Sequence, residues 1–391
     1  MSQASLRIGI VCYPTYGGSG AVATELGRQL ARRGHVIHFI SYSRPFRLAG
    51  DFHENIVYHE INSEHYPLFL GQLYAISAAV KIRDIVLKEN LDLLHVHYAL
   101  PHAISAWMAD EMLPPERRVP TLTTLHGTDI TVVGSKPAFA PAVKLGLGKS
   151  NRLTCVSQWL AEETRRVFGV NGDQLHVIHN FIDPQLFSPD NRCCHHSTFE
   201  RPDEHIIMHI SNFRRVKRLD DVVRTFARVC DRQPARLLMV GDGPDRSLAT
   251  ETAEQLGVLD RVEMLGTLPC VQNFLPMADV LLFPSDKESF GLAALEAMAC
   301  GVPVVGSDAG GLPEVVAHGQ TGWLCPVGDI EAYSDAILRL FANPRLARTM
   351  GEAGRWRVVV KFSSETIVPQ YERLYFKMLD EAAVGGVERR T

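Results

Sequence analysis

Long apolar runs are missing from this chain. No segment approaches the roughly 20 consecutive apolar residues a membrane-spanning helix needs, and the start, MSQASLRIGIVCYPTYGG, holds no cleavable signal core. The expectation is a cytoplasmic protein without a membrane span. An excess of one charge sign is missing too. Lys and Arg number 40 against 44 Asp and Glu, for a net charge of -4 and a pI near 6.5. That offers no general attraction to nucleic acid or to a membrane surface, so an anionic ligand must be held by local groups and the partner is expected to be small.

Cysteine is sparse: eight in 391 residues, with Cys12, Cys155 and Cys300 inside apolar runs. These read as reduced packing residues and exclude a disulfide framework. The one cluster, RCCHH at Cys193 to His196, lacks common zinc spacing and lies in a polar, proline-bearing stretch, so it reads as linker. His95 and His97 share a strand face, but no third ligand is evident. No metal and no cofactor are expected. Low-complexity segments are absent as well.

What is present is length for two domains and a strict alternation. Short β-branched runs (RIGIVCY, HVIHFISY, LDLLHVHYA, VPTLTTLHG, NRLTCVS, QLHVIHN) alternate with segments of helical spacing, and the pattern restarts after residue 204 with HIIMHIS, RLLMVGDG, RVEMLG, DVLLFPS and VPVVGSD. Alternation of this kind predicts α/β architecture: two Rossmann-like domains with parallel sheets. The expected boundaries are 1–183 for a first domain, 184–204 for a linker, 205–365 for a second domain, and 366–391 for a C-terminal helix crossing back to the first.

Gly17-Gly18-Ser19-Gly20 lies between the first apolar run and a helix whose stripe is Val22, Leu26 and Leu30, with Gly34 as its stop. A glycine turn at a helix N-terminus offers unpaired N–H groups and close approach to an anion. A Walker phosphate loop needs a terminal G-K-[ST], and no lysine is there. Gly18 to Ala23 fits G-x-G-x-x-A, but the second strand ends FISYSRPF without the expected carboxylate; Arg44 leaves an NADP-dependent oxidoreductase as an alternative.

Glu288 and Glu296 bracket the start of a second helix in DKESFGLAALEAMACGVPVV, with Ser289 expected as its cap. Eight residues of helix advance about 12 Å, beyond the roughly 5 to 9.5 Å of a hydrolase pair. Two separated carboxylates with the N–H groups of Phe290, Gly291 and Leu292 between them suit a sugar nucleotide, hydroxyls at each end and diphosphate in the middle.

This E-x(7)-E segment, with GDGP at Gly241 to Pro244, IHNFID, GGLPEVV and GQTGWLCPVGD, resembles the retaining glycosyltransferases of family 4. YPTYGGSG, SYSRPFR, HVHYALPHA, TLHGTDITVVG and SNFRRVKR together resemble the branch that glycosylates L-malate in bacillithiol biosynthesis. The resemblance implies a GT-B fold, two Rossmann-like domains facing each other across a cleft, closure over the donor, and metal-independent transfer of GlcNAc from UDP-GlcNAc to the hydroxyl of L-malate. It implies Lys217 at the β-phosphate, with Asn212 where relatives carry a second cation and Arg214 or Arg215 as substitute. Glu288 falls at the sugar hydroxyls, Glu296 at the uridine ribose, and Gly18 with Ser19 at the diphosphate. Acceptor candidates are Ser19, Tyr98, Thr124, His126, Lys144 and Asn180; His126 orients the donor sugar or anomeric centre. Another small acceptor, such as inositol phosphate or a sugar, a non-catalytic sugar-nucleotide sensor, and a homodimer are left open.

Overall fold

The computed structural model describes residues 4–15, 17–48, 53–63, 73–191 and 203–388. The chain divides into two compact units, Met1–Asn180 with Ser364–Thr391, and Phe181–Ser363. No helix among the described residues is long and apolar enough to cross a membrane. The Cys193 to His196 cluster lies outside the described residues.

The first unit carries β1 (Arg7–Val11), α1 (Ser19–Arg32), β2 (Val36–Ser41), β3 (Ile56–Glu60), α2 (Tyr74–Glu89), β4 (Leu93–His97), α3 (Ile104–Glu111), β5 (Thr121–Leu125), α4 (Ala140–Lys149), β6 (Arg152–Cys155), α5 (Gln158–Phe168) and β7 (Leu175–Val177). All strand pairs are parallel, in the order β3-β2-β1-β4-β5-β6-β7. The runs read as strands because they are buried on both faces: Ile8, Ile10, Phe39, Val96, Leu122 and Leu153 are all fully buried. Each such side chain contributes on the order of 1.5–3 kcal/mol.

The second unit carries β8 (His205–Ile210), α6 (Leu219–Cys230), β9 (Ala235–Val240), α7 (Arg246–Gln255), β10 (Val262–Gly266), β11 (Val280–Phe283), α8 (Leu292–Ala299), β12 (Val304–Ser307), α9 (Leu312–Val315), β13 (Gly322–Cys325), α10 (Ile330–Phe341) and α11 (Pro344–Lys361). Its parallel order is β10-β9-β8-β11-β12-β13. Its core joins Phe226 and Val222 of α6 to Leu237 and Met239 of β9 and Ile337 of α10. Pro184–Asn191 belongs with it: Phe187 is buried, and Arg355 donates to its carbonyl oxygen at 3.1 Å.

The last helix, α12 (Ser364–Glu388), belongs to the first unit. Tyr371 and Tyr375 are fully buried there, Glu372 accepts from Arg33 at 2.7 Å, and Arg152 pairs with Glu381 at 2.5 Å.

In both sheets the strand order reverses once, between β1 and β4 and between β8 and β11. Ligands of open parallel sheets bind beyond the carboxyl ends of the strands at such a switch point. The glycine turn follows β1 and Tyr98 follows β4; Lys217 follows β8 and Glu288 follows β11.

Candidate active site

In the second unit, the loop after β8 is held by backbone contacts that only glycine allows. A Cβ on Gly241 (φ +123°) would stand 1.8 Å from the Ser211 carbonyl oxygen. The loop then turns through Phe213 (φ 37°) and Arg218 (φ 51°), conformations costly for side chains with a Cβ. The fully buried Phe213 ring anchors it. Between them a 3₁₀ turn, Arg215–Lys217, delivers Lys217. Val216 accepts from the Asp286 N–H at 2.8 Å, tying this loop to the one after β11.

Lys217 Nζ meets Glu288 Oε2 at 2.6 Å and lies 5.1 Å from the Phe283 ring centroid, both side chains being largely buried. Glu288 is fixed through its backbone: Gly311 N–H donates to its carbonyl at 2.7 Å, and a Cβ on Gly310 would sit 2.0 Å from the same oxygen. The motifs ESFG and GGLPEVV thus pack backbone on backbone.

Ser289 is not the helix cap. Gly291, in the left-handed region at φ 101°, takes the N-cap position with no side-chain cap, and α8 begins only at Leu292. The Glu288 to Glu296 span is therefore half loop and half helix, and the 12 Å rise expected of a continuous helix does not apply. Glu296 is 6% exposed, so it is not a solvated helix carboxylate. Phe290 is core, 2% exposed and edge-to-face with Phe362 at 5.8 Å, so only its backbone is placed for a ligand. Asn212, Arg214 and Arg215 are exposed, and no ion pair among the described residues holds either arginine. Nearby His209 is pushed down to about 4, chiefly by burial.

In the first unit the glycines divide by task. A Cβ on Gly20 would lie 2.4 Å from Thr15 Oγ1, so this glycine serves packing. At Gly17 and Gly18 a Cβ would meet nothing within 4 Å, and Gly18 adopts φ +60°. Ser19 opens α1, and its hydroxyl donates to Tyr98 Oη at 2.9 Å. Tyr98, at φ 82°, stands 5.2 Å from the His126 ring. Ser19, Tyr98 and His126 therefore form one group.

Thr124 is not free to join them. Its hydroxyl is fully buried, 2.6 Å from His95 Nε2 and 2.6 Å from Thr154 Oγ1, so it supports the strand layer and is not exposed for an acceptor. Lys144 is exposed on α4 and Asn180 is buried with an unpartnered Oδ1; no hydrogen bond or ion pair among the described residues joins either to the trio. A cavity of about 450 Å³ opens beside Tyr13, Tyr42 and Tyr74, but Glu60 in its wall opposes a dianion there.

Comparisons with known proteins agree across the chain. Residues 16–186 match Glycosyltransferase Family 4, and residues 195–357 match Glycosyl transferases group 1. The chain is 45% identical over 383 residues to the N-acetyl-alpha-D-glucosaminyl L-malate synthase of Bacillus anthracis, covering 98% of this chain and 100% of that protein. The chain is a family 4 glycosyltransferase. A D-inositol 3-phosphate glycosyltransferase of Kribbella flavida is 26% identical, covering 86% of this chain and 85% of its own. A solved glycosyltransferase from Rickettsia africae superposes with a TM-score of 0.80 at 21% identity, over 96% of this chain and 99% of that one, placing the fold in the GT-B class. The oxidoreductase alternative lapses with this family assignment.

Within the family framework, the sequence reading missed the residues that hold the trio. Asp129, three positions after His126, accepts from the N–H groups of His126, Gly127 and Ala99 at 3.2, 2.9 and 3.0 Å. Burial raises its carboxyl to about 6, against the pull of those amides. The His-Gly-Thr-Asp spacing was the available signal. His95 is a satisfied core residue, bonded to Tyr375 Oη at 2.8 Å and to Thr124. Among the described residues, one group has metal-ligand geometry: His38, His59 and Glu89. It already contains a cation, because Arg7 contacts both His38 Nε2 and Glu89 at 3.4 Å, which leaves His38 Nδ1–H to donate to His59. Cys12, Cys155 and Cys300 are buried free thiols, pushed up to about 12 by burial.

Proposed function

We propose that this transferase moves N-acetylglucosamine from UDP-GlcNAc to the hydroxyl of L-malate, with retention at the anomeric carbon and without a metal ion, as the first step of bacillithiol assembly. The observation that carries the reading is the Lys217–Glu288 pair at the switch point of the second sheet. The end-to-end likeness to a malate synthase supports the choice of donor and acceptor.

The pair suits a sugar nucleotide because each member has a second task available. Lys217, shared between Glu288 and the β-phosphate, neutralises the diphosphate as it leaves, and Arg214 or Arg215 supplies further positive charge in place of a divalent cation. Glu288 accepts from sugar hydroxyls. The first amides of α8, at Gly291 and Leu292, face phosphate oxygens, and Glu296 takes the ribose diol. The open Gly18 backbone and the Ser19 hydroxyl offer further donors to phosphate oxygens. Tyr98 and His126 orient the reacting sugar and acceptor. A phosphate oxygen of the departing UDP takes the malate hydroxyl proton while the same hydroxyl oxygen bonds the anomeric carbon. Most of the rate then comes from positioning and from stabilising the leaving group.

The test is mass-spectrometric detection of product from UDP-GlcNAc and L-malate in the presence of a chelator, with inositol phosphate as a parallel acceptor and Glu288→Ala as control. GlcNAc-malate that requires malate, survives chelation and disappears in the control is the expected outcome. Product only with inositol phosphate overturns the acceptor; product only with added metal overturns the metal-free mechanism.

A further inference from the structure

His97 ends β4 fully buried, yet no role follows from its place in the core. Its Nδ1 lies 2.8 Å from Nε2 of His126, and the two rings stack with centroids 5.1 Å apart. Its other nitrogen, Nε2, is buried and has no partner among the described residues. The ring is held from behind: His102 Nδ1 bonds the His97 carbonyl at 2.6 Å, and Tyr74 Oη bonds His102 Nε2 at 3.0 Å.

One proton lies between the two imidazoles, and its ownership decides what His126 can do. If His126 donated from Nε2, neutral His97 would carry its own proton on the unpartnered Nε2, a buried N–H with no acceptor. Such orphaned donors are rarer in folded proteins than under-satisfied acceptors. If His97 donates from Nδ1, only a bare lone pair is left without a partner. His126 then accepts at Nε2 and must hold its own proton on Nδ1.

We propose that His97 is a positioning residue whose Nδ1–H fixes His126 in the Nδ1-protonated tautomer, so that His126 presents a neutral N–H donor to a substrate oxygen. The inference rests on the proposed function in one respect, that His126 touches the sugar or the reacting centre. It deepens that reading by excluding His126 as the base for the acceptor hydroxyl. The basic nitrogen is engaged by His97, and the other nitrogen is protonated. Burial keeps both rings neutral, lowering His126 to about 3 and His97 well below the ordinary range. The substrate class this selects is an oxygen acceptor: a sugar hydroxyl or carbonyl, not an ammonium or another N–H donor.

The first measurement is long-range nitrogen–proton NMR on protein labelled with ¹⁵N-histidine, with His126→Phe used for assignment. A protonated Nδ1 and unprotonated Nε2 on His126 are expected; the opposite pattern overturns the proposal. This reading needs no turnover, so it stands or falls separately from the assignment of malate. The second measurement compares His97→Asn with His97→Asp. Asparagine can place an N–H near the position of Nδ1, whereas ionised aspartate offers only acceptors. His97→Asn should keep the His126 tautomer and hold kcat within about threefold. His97→Asp should invert the tautomer and lower kcat about tenfold or more, with a smaller change in KM for UDP-GlcNAc. Equal losses in both variants, or no loss in either, would show that His97 is packing alone.

Discussion

The two units share one topology at their switch points and differ in the chemistry mounted there. The second presents ions: Lys217, Glu288 and Glu296 with the exposed Arg214 and Arg215. The first presents neutral, directional groups, Ser19, Tyr98 and His126, backed by the buried imidazoles of His95, His97 and His102. In the second unit only His209 is a comparably buried histidine among the described residues. One scaffold thus serves two electrostatic purposes. Under the proposed reaction, charge that develops on the diphosphate is met by ions, while alignment is met by donors whose geometry matters more than their charge.

The sharpest way to break this contrast is to remove an ion. Lys217→Ala should lower kcat/KM by about 10²–10³-fold, whereas Tyr98→Phe in the first unit should cost about tenfold; steady-state product formation measures both. Equal losses would erase the distinction.

Acid provides the next test. His38 and His102 are pushed down to about 4, and His95 and His126 to about 3, in each case chiefly by burial. The unfolded chain binds these protons first, so the stabilisation is present above about pH 6.5 and is lost as pH falls toward 3 to 4. Each histidine contributes up to about 1.4 kcal/mol per pH unit. Asp129 has the opposite sign, its raised carboxyl favouring the fold below pH 4 and losing that contribution as pH rises through about 6. Four histidines outweigh one carboxyl, so the first unit should unfold at higher pH than the second. Tryptophan fluorescence separates them in two variants, one keeping only Trp107 and Trp159 of the first unit and the other only Trp323 and Trp356 of the second.

Smaller effects test the glycines. Gly310→Ala, at φ +63° with its Cβ driven onto the Glu288 backbone, should cost about 1–3 kcal/mol in denaturant unfolding and also impair activity. Gly17→Ala meets open space and should change stability by less than about 0.5 kcal/mol while weakening UDP-GlcNAc binding by calorimetry. Unchanged binding would remove that glycine from the donor site.

The sequence disclosed the architecture where strands are buried on both faces, as in RLLMV and DVLLF. It hid β3 and β13, because IVYHE is a half-exposed edge strand carrying polar residues and GWLC is an edge strand that opens on a glycine and is only partly buried. Lys217 and Glu288 were legible as site residues through the family resemblance, but their 2.6 Å contact was not. Nor was the His97–His126 contact, because it depends on β4 and β5 lying side by side, which local pattern does not encode. Ser289 was misread because a polar residue before an apolar helix resembles a cap, whereas a left-handed glycine moved the cap two residues on.

The C-terminal helix imposes an order on biogenesis. The second unit is one continuous segment and can complete its core soon after its last residue leaves the ribosome. The first cannot, because His95 waits for Tyr375, 280 residues later. At about 5–20 residues per second the nascent first sheet goes without its last buried tyrosines for on the order of tens of seconds. During that interval the histidine layer lacks its cover, so the unit made first is the one that needs protection longest.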